Sequence, residues 1–485
     1  MGTKRILPIY KILSDQAINK ISDASFDILE NTGVRVPNKR VWDNLKEFGV
    51  NVDENNSIIR IPFEITGKAI ELAGKKHILY GRNKENTAEF GYDMFNFNSS
   101  GGQYQLVDQR EVKRIDPKIT DLRKAIKIGD YLKNIDIVGA MVVPLDIRPD
   151  LRDIYTFFEL INGTTKPYMG FIFSGKSAKI IIEMMKIVSG SSENLKKYPP
   201  YEAFVEPISP LSYRPESIDI LIDCAKEDMP VCFGPMVQTG STGPINLAGT
   251  IVQENAEILS GIVISQAIKP GLAVTYGGIP HIMDMRTAMI SFGSPEQGLM
   301  AAAITQLARS YGFPVYNNTG MTDSKIPDAQ SGVEKAATLM LGLLSGGDIF
   351  GHLGISGADN AANFTQLIID DEMAGYIKRV AGSFEVNDET VSLADIKETG
   401  IGGNFLMNDK TLRDFKKEIW YPDIFDRFVW DRWEEKGKKS TIDLALEKEE
   451  DISLNHKQCF LEDSMRKECE KVIESFKKHL SDKEV

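Results

Sequence analysis

From about residue 98 the chain alternates short apolar runs with amphipathic segments, at a spacing of ~30–45 residues that matches a βα unit. The apolar runs predict strands over Gln103–Val107, Ile135–Pro144, Pro167–Ser174, Glu202–Pro207, Val231–Val237, Leu272–Gly278, Val315–Asn318 and Asp348–Leu353. A helix is predicted after each, near 117–133, 150–162, 176–189, 215–227, 247–268, 294–311, 332–345 and 366–381. Eight such alternations predict an α/β fold, a (β/α)8 TIM barrel in preference to an open doubly wound sheet. The barrel is expected over 91–382, with a mainly helical N-terminal cap over 1–90 and a C-terminal helical extension over 383–485. No sequence repeat underlies the alternation.

In the cap, Ser14 is a plausible N-cap for a helix running to about Asn31 and stopped by Gly33, and Pro62 suits the first turn of a second helix. The aromatic and charged stretch 401–437 is expected to pack back on the barrel as helices, and 440–485 reads as charged amphipathic helices.

A barrel turns the carboxyl ends of its strands toward one mouth. Those ends carry Tyr104, Phe171, Phe173, Glu206, Phe233, Tyr276, Tyr316, Asn318, Phe350 and His352, with Tyr213, His281, Asp284, Arg286 and Lys325 on overhanging loops. The richest stretch is 314–336, PVYNNTGMTDSKIPDAQSGVEKA. It starts as a buried strand, breaks at Gly320, and delivers Asp323, Lys325, Asp328 and Gln330 just before a helix. A Phe in a strand is usually core, and roughly half of these positions are expected to be ordinary packing. Taken together, they describe an aromatic mouth suited to a cation without hydrogen-bond donors, a quaternary ammonium being the obvious case.

The net charge of −12 and pI near 5.2 disfavour a nucleic-acid partner. No apolar run reaches the ~20 residues of a membrane span, and the first residues lack a leader pattern, so a cytoplasmic location is expected. Cys224, Cys232, Cys459 and Cys469 form no CxxC pair, and the five histidines form no HExxH, so neither disulfides nor a protein-bound metal are expected.

Longer stretches carry a family likeness: TTKPYMG (164–170), GSTGPINLAGTIVQENAEILSGIVISQAIKPG (240–271), DMRTAMISFGSPE (284–296), TDSKIPDAQSGVEKA (322–336), IIDDEM (368–373) and GIGGNFL (400–406). The chain resembles the trimethylamine methyltransferase family, whose members pass a methyl group from an amine to a corrinoid protein. The resemblance implies a (β/α)8 barrel, a corrinoid (cobalamin) cofactor carried by a cognate corrinoid protein, and a homo-oligomer. Archetypal members carry pyrrolysine in the mouth, and this chain has none. That implies the non-pyrrolysine branch, which resembles enzymes acting on glycine betaine, proline betaine or carnitine.

On this reading Tyr104, Phe173, Tyr213 and Phe350 supply an aromatic cage. Glu206 or Asp328 places a carboxylate near the ammonium, and Asn318 lines the mouth. His352, His281, Arg286 or Lys325 holds the substrate's own carboxylate. The bland alternatives are a rim salt bridge for Arg286 and a satisfied buried histidine for His352. Two rival functions stay open: a Schiff-base barrel enzyme using Lys325, and a betaine-binding protein without turnover.

Overall fold

The computed structural model describes residues 2–6 and 9–481. Eight short strands occupy the middle: β1 (Met94–Ser99), β2 (Val138–Gly139), β3 (Tyr168–Met169), β4 (Ala203–Val205), β5 (Val231–Phe233), β6 (Val274–Tyr276), β7 (Tyr316–Asn317) and β8 (Ile349–Leu353). A helix follows each in turn: α1 (Ile119–Tyr131), α2 (Arg152–Gly163), α3 (Gly175–Ser189), α4 (Pro215–Lys226), α5 (Leu247–Ile268), α6 (Pro295–Ser310), α7 (Ala329–Ser345) and α8 (Phe364–Ala381).

All pairings among these strands are parallel. β8 lies between β7 and β1, β2 pairs with β3, and β4, β5 and β6 pair in that order. Single bridges join Asn98 to Ile137 and Tyr276 to Val315, linking β1 to β2 and β6 to the start of β7. Between β3 and β4 no ladder forms. The Tyr168 N–H donates to the Pro200 carbonyl at 3.2 Å there. Pro167, Pro199 and Pro200 flank this junction, and a proline has no N–H to give a ladder. The expected strand-and-helix order is thus realised, but the ladders do not make a closed sheet.

The first predicted strand needs correction. β1 is Met94–Ser99, not Gln103–Val107. Asn96 and Asn98 interrupt the apolar pattern of MFNFNS, yet both are buried. Asn96 Nδ2 donates to the Glu89 and Asp348 carbonyls at 2.9 and 3.1 Å. Leu106–Asp108 instead joins a rim sheet with Lys113–Ile115 and Ala361–Ala362.

The N-terminal part is more mixed than expected. Its helices are Asp15–Asp27, Trp42–Phe48 and Phe63–Leu72, with antiparallel strand pairs Asn51–Asp53/Ile58–Arg60 and His77–Tyr80/Thr87–Phe90. Ser14 caps the first helix, its Oγ accepting from Ala17 N at 3.2 Å, and Gly33 at φ 84° closes the π-helical turn that extends it. All three helices pack on α5. Covered on both sides, α5 is buried without a break from Glu254 to Gln266 and has no exposed polar stripe there. At the other end, Thr441–Asn455 packs on α8 and α1, and Asp463–Ser481 packs on α3. Residues 382–440 lie over the surface with Ile424 as their one buried residue.

Candidate active site

A cavity of about 760 Å³ opens at the carboxyl ends of the strands. Seven of the eight strands send residues into its wall: Gln103 beyond β1, Phe171 beyond β3, Phe204 and Glu206 on and after β4, Met236 beyond β5, Ile279 beyond β6, Asn318 beyond β7, and His352 in β8. Phe292 closes one side, Asp359 another, and Tyr104, Phe173, Arg214 and Glu216 form an exposed rim.

Carboxylates on the surrounding elements tie the exit loops to one another. Glu254 on α5 accepts from Val237 N at 3.1 Å and Ile279 N at 2.7 Å, joining the exits of β5 and β6. Burial pushes its carboxyl well above the usual range, against the two N–H bonds that it accepts. Asp323, after β7, accepts from Phe292 N and Gly293 N at 2.8 and 3.1 Å, and Glu334 on α7 accepts from Asp323 N at 2.9 Å. Lys335 on α7 donates to the Gly320 carbonyl and to Asp370 Oδ2, both at 2.9 Å. Asp370 on α8 in turn accepts from Gly354 N at 2.6 Å. This fully buried ion pair clasps the exits of β7 and β8, and with them Asn318 and His352. A site held this way is pre-organised.

His352 is 5% exposed and both ring nitrogens are without a partner. Its φ of +66° lies in the left-handed region, rare for a side chain of this size. Desolvation, reinforced by the charge of Lys335, lowers its pKa to about 4, so the ring is neutral at pH 7. Asn318 is fully buried, with Oδ1 unpartnered and Nδ2 directed at Met321 Sδ at 3.3 Å. Buried polar atoms left unpaired cost about 1–3 kcal/mol each. Here they line a cavity that can supply the missing partner. Among the described residues no cluster of three His, Cys, Asp or Glu side chains is arranged to hold a metal.

Of the ten residues read from the sequence, the cavity gathers Tyr104, Phe173, Glu206, Asn318 and His352. The other five lie outside its wall. The Tyr213 hydroxyl is buried against the Glu257 carbonyl (3.2 Å) and Ser260 Oγ (3.0 Å). His281 sits behind the wall, its Nδ1 2.8 Å from the Ile279 carbonyl and its ring against Phe292. Lys325 is exposed, donates to the Asp323 carbonyl, and lines a separate recess with Ser356 and Gly357. Asp328 caps α7, accepting from Ser331 N at 2.8 Å. Phe350, 0% exposed, faces the helix layer beside Phe95 and Phe97. In a regular strand Phe350 and His352 share a face. A register shift between Phe350 and Leu353, with the left-handed backbone of His352, separates them. Arg286 sits 3.4 Å from Asp284 on the exposed rim, matching the salt-bridge reading.

Sequence reasoning missed Phe204, Phe292, Gln103 and Asp359 as wall residues. Asp359 lies in GADN, which reads as an ordinary polar turn. The clasp residues were visible only as charges, Lys335 and Asp370, at helix positions that otherwise face the core.

Fold and cavity together define a mixed α/β protein with an aromatic- and carboxyl-lined cavity at its strand ends. A profile of the family described as trimethylamine methyltransferase (MTTB) matches residues 2–481, and the chain belongs to that methyltransferase family. It is 31% identical to trimethylamine methyltransferase MttB of Methanosarcina thermophila, over 92% of this chain and 93% of that protein. It is 30% identical to the glycine betaine methyltransferase of Desulfitobacterium hafniense, over 93% of this chain and 94% of that one. Among solved structures, the monomethylamine methyltransferase of Methanosarcina barkeri aligns over 90% of this chain and 88% of its own, at 13% identity and a TM-score of 0.47.

Proposed function

We propose that this methyltransferase takes a methyl group from a quaternary amine of the glycine betaine, proline betaine or carnitine type and passes it to the Co(I) of a corrinoid protein. The observation that carries the reading is the cavity itself: aromatic faces, carboxyl groups and unpartnered His352 and Asn318 converge at one set of strand ends. The relative named glycine betaine methyltransferase supports a quaternary substrate. Each well-placed ring can hold a cation with about 0.5–2 kcal/mol. Phe171, Phe173, Phe204, Phe292 and Tyr104 are the rings available. His352 and Arg214 are the groups suited to a substrate carboxylate.

When the methyl leaves a quaternary nitrogen, the C–N electron pair stays on nitrogen and the departing amine is neutral. No proton has to be supplied, which agrees with a neutral His352. The protein's part is to strip water from the cation and aim one methyl at the mouth, positioning worth on the order of 7–11 kcal/mol in favourable cases. The corrinoid supplies the nucleophilic cobalt. The solvent-exposed rim at Tyr104, Phe173, Arg214 and Glu216 leaves the approach open to a partner-borne corrinoid.

We read the eight strands, in the order β1 to β8 with β8 beside β1, as a (β/α)8 barrel over 91–382, flanked by the 1–90 and 383–485 additions. Exposed apolar side chains such as Ile401, Leu406 and Met407 in the latter support a homo-oligomer. No helix among the described residues is long and apolar enough to cross a membrane. Lys325, exposed and outside the cavity, gives a Schiff-base mechanism no support. The test is a panel of quaternary amines mixed with the protein and a Co(I) corrinoid protein, scored by the absorbance of the methylated corrinoid. Methylation by at least one amine of the panel is expected. Binding without methyl transfer would leave a betaine-binding protein.

A further inference from the structure

Resting on that reading of the cavity, we propose that Asp359 is its counter-ion. It makes the site choose a permanently charged ammonium head over a neutral group of the same shape.

The geometry is specific. Asp359 sits at the tip of a hairpin whose strands, Ile355–Ser356 and Ala361–Ala362, pair antiparallel. Gly357, Ala358 and Asp359 have φ of 66°, 53° and 65°, three consecutive left-handed residues, two of which carry side chains. The tip is fastened from outside. Gly357 N donates to the Ser324 carbonyl at 2.6 Å and Ala358 N to the Thr322 carbonyl at 2.9 Å. Gln103 Nε2 then donates to Asp359 Oδ1 at 2.8 Å. A turn so constrained delivers one carboxyl to one place in the cavity wall.

That carboxyl has a hydrogen bond but no cation. Among the described residues no lysine or arginine lies within ion-pair distance of Asp359 or Glu206, though Arg214 at the rim partly offsets Glu206. Across the same cavity His352 and Asn318 present buried polar atoms without partners. The rest of the wall is largely aromatic and aliphatic, with Phe171, Phe204 and Phe292 beside Ile172, Met236 and Ile279, so a metal ion or an ammonium with N–H groups would find few further ligands there. A methylated ammonium needs none.

The acid–base behaviour agrees. Desolvation, opposed by the Gln103 hydrogen bond and helped by the Glu206 charge, raises Asp359 to about 7. The other charged or titratable groups facing the space are Arg214, just before α4, Glu216 from α4, His352 from β8 and Tyr104 beyond β1. Near neutral pH the free carboxyl is therefore partly protonated. A bound cation favours the carboxylate and expels that proton. Affinity for the amine should rise with pH up to about 7 and level off above it.

The test is calorimetric titration of the full-length protein with glycine betaine, proline betaine and carnitine, each against its neutral-head analogue with carbon in place of nitrogen. For glycine betaine the analogue is 3,3-dimethylbutanoate. Buffers of different ionisation enthalpy report proton release. Wild type should prefer the amine about ten-fold or more, the equivalent of one pKa unit, and release a fraction of a proton near neutral pH. Asp359→Asn should lose the release and most of the preference while binding the carbon analogue as before. Glu206→Gln should keep the release but shift it to lower pH, since one raising charge is gone. Retained preference and release in Asp359→Asn, or loss of release in Glu206→Gln, overturns the assignment. Failure of wild type to bind any of the amines overturns the proposed substrate class as well.

Discussion

The clasp between Lys335 and Asp370 offers the most quantitative prediction. Both side chains are fully buried, and their ion pair is 2.9 Å long. In Lys335→Met the apolar stem is kept and the ammonium is lost, which leaves Asp370 as an unpaired buried charge and the Gly320 carbonyl without its donor. Breaking such a pair from one side costs about 3–5 kcal/mol. Asp370 retains Gly354 N at 2.6 Å and Gln366 Nε2 at 2.8 Å, so the loss belongs toward the lower end. Urea denaturation followed by circular dichroism should register it as a lower midpoint with a similar slope. The double variant Lys335→Met/Asp370→Leu removes both charges and should recover part of the loss. Lys335→Met should also depress methyl transfer beyond its effect on stability, because the clasp holds the exits of β7 and β8 that carry Asn318 and His352. A Lys335→Met protein within about 1 kcal/mol of wild type, or a double variant no better than the single, would refute the reasoning.

Phe350→Ala and His352→Ala should separate cleanly. Phe350 is wholly buried against Phe95 and Phe97, so its loss is expected to cost about 3–5 kcal/mol, whereas His352→Ala removes a ring whose nitrogens have no hydrogen-bond partner and should change the melting temperature far less while cutting substrate affinity. The stability of Asp359→Asn relative to wild type should depend on pH. A carboxyl raised to about 7 in the folded state stabilises fully below its unfolded pKa of ~3.9 and loses that contribution as pH rises through 7. The variant should thus gain on wild type between pH 4 and about 7 and hold level above, read from melting temperatures across that range. Lys325→Ala should leave methyl transfer near wild type, and borohydride should trap no aldehyde at that position, since its ammonium is exposed outside the cavity.

Much of this was legible in the chain because helices and buried strands leave periodic traces. All eight predicted helices after strands are present within a few residues, and seven of the eight strand positions hold. The exception, β1, hid behind Asn96 and Asn98, polar residues that are nonetheless buried, Asn96 donating to two backbone carbonyls and Asn98 to the Met169 sulfur. His352 could be found from its place at a strand end. Phe350 could not be set aside, because nothing in IFGHL announces the backbone reversal that sends the two rings opposite ways. Asp359 was invisible for a related reason. Its role depends on a hairpin tip fastened by contacts to Thr322 and Ser324, more than thirty residues away in the chain. Tyr213 and Asp328 carried the right chemistry, but α5 and the first turn of α7 hold them in structural bonds.

The central claim is that these strand ends strip a methyl from a positively charged nitrogen that has no proton to lose. Its most direct measurement mixes the protein with a Co(I) corrinoid protein and one quaternary amine at a time, and follows the corrinoid spectrum. The account predicts stoichiometric methylated corrinoid and the matching tertiary amine from at least one quaternary amine, with His352→Ala greatly slowed. Methylated corrinoid formed from trimethylamine and from no quaternary amine would contradict it.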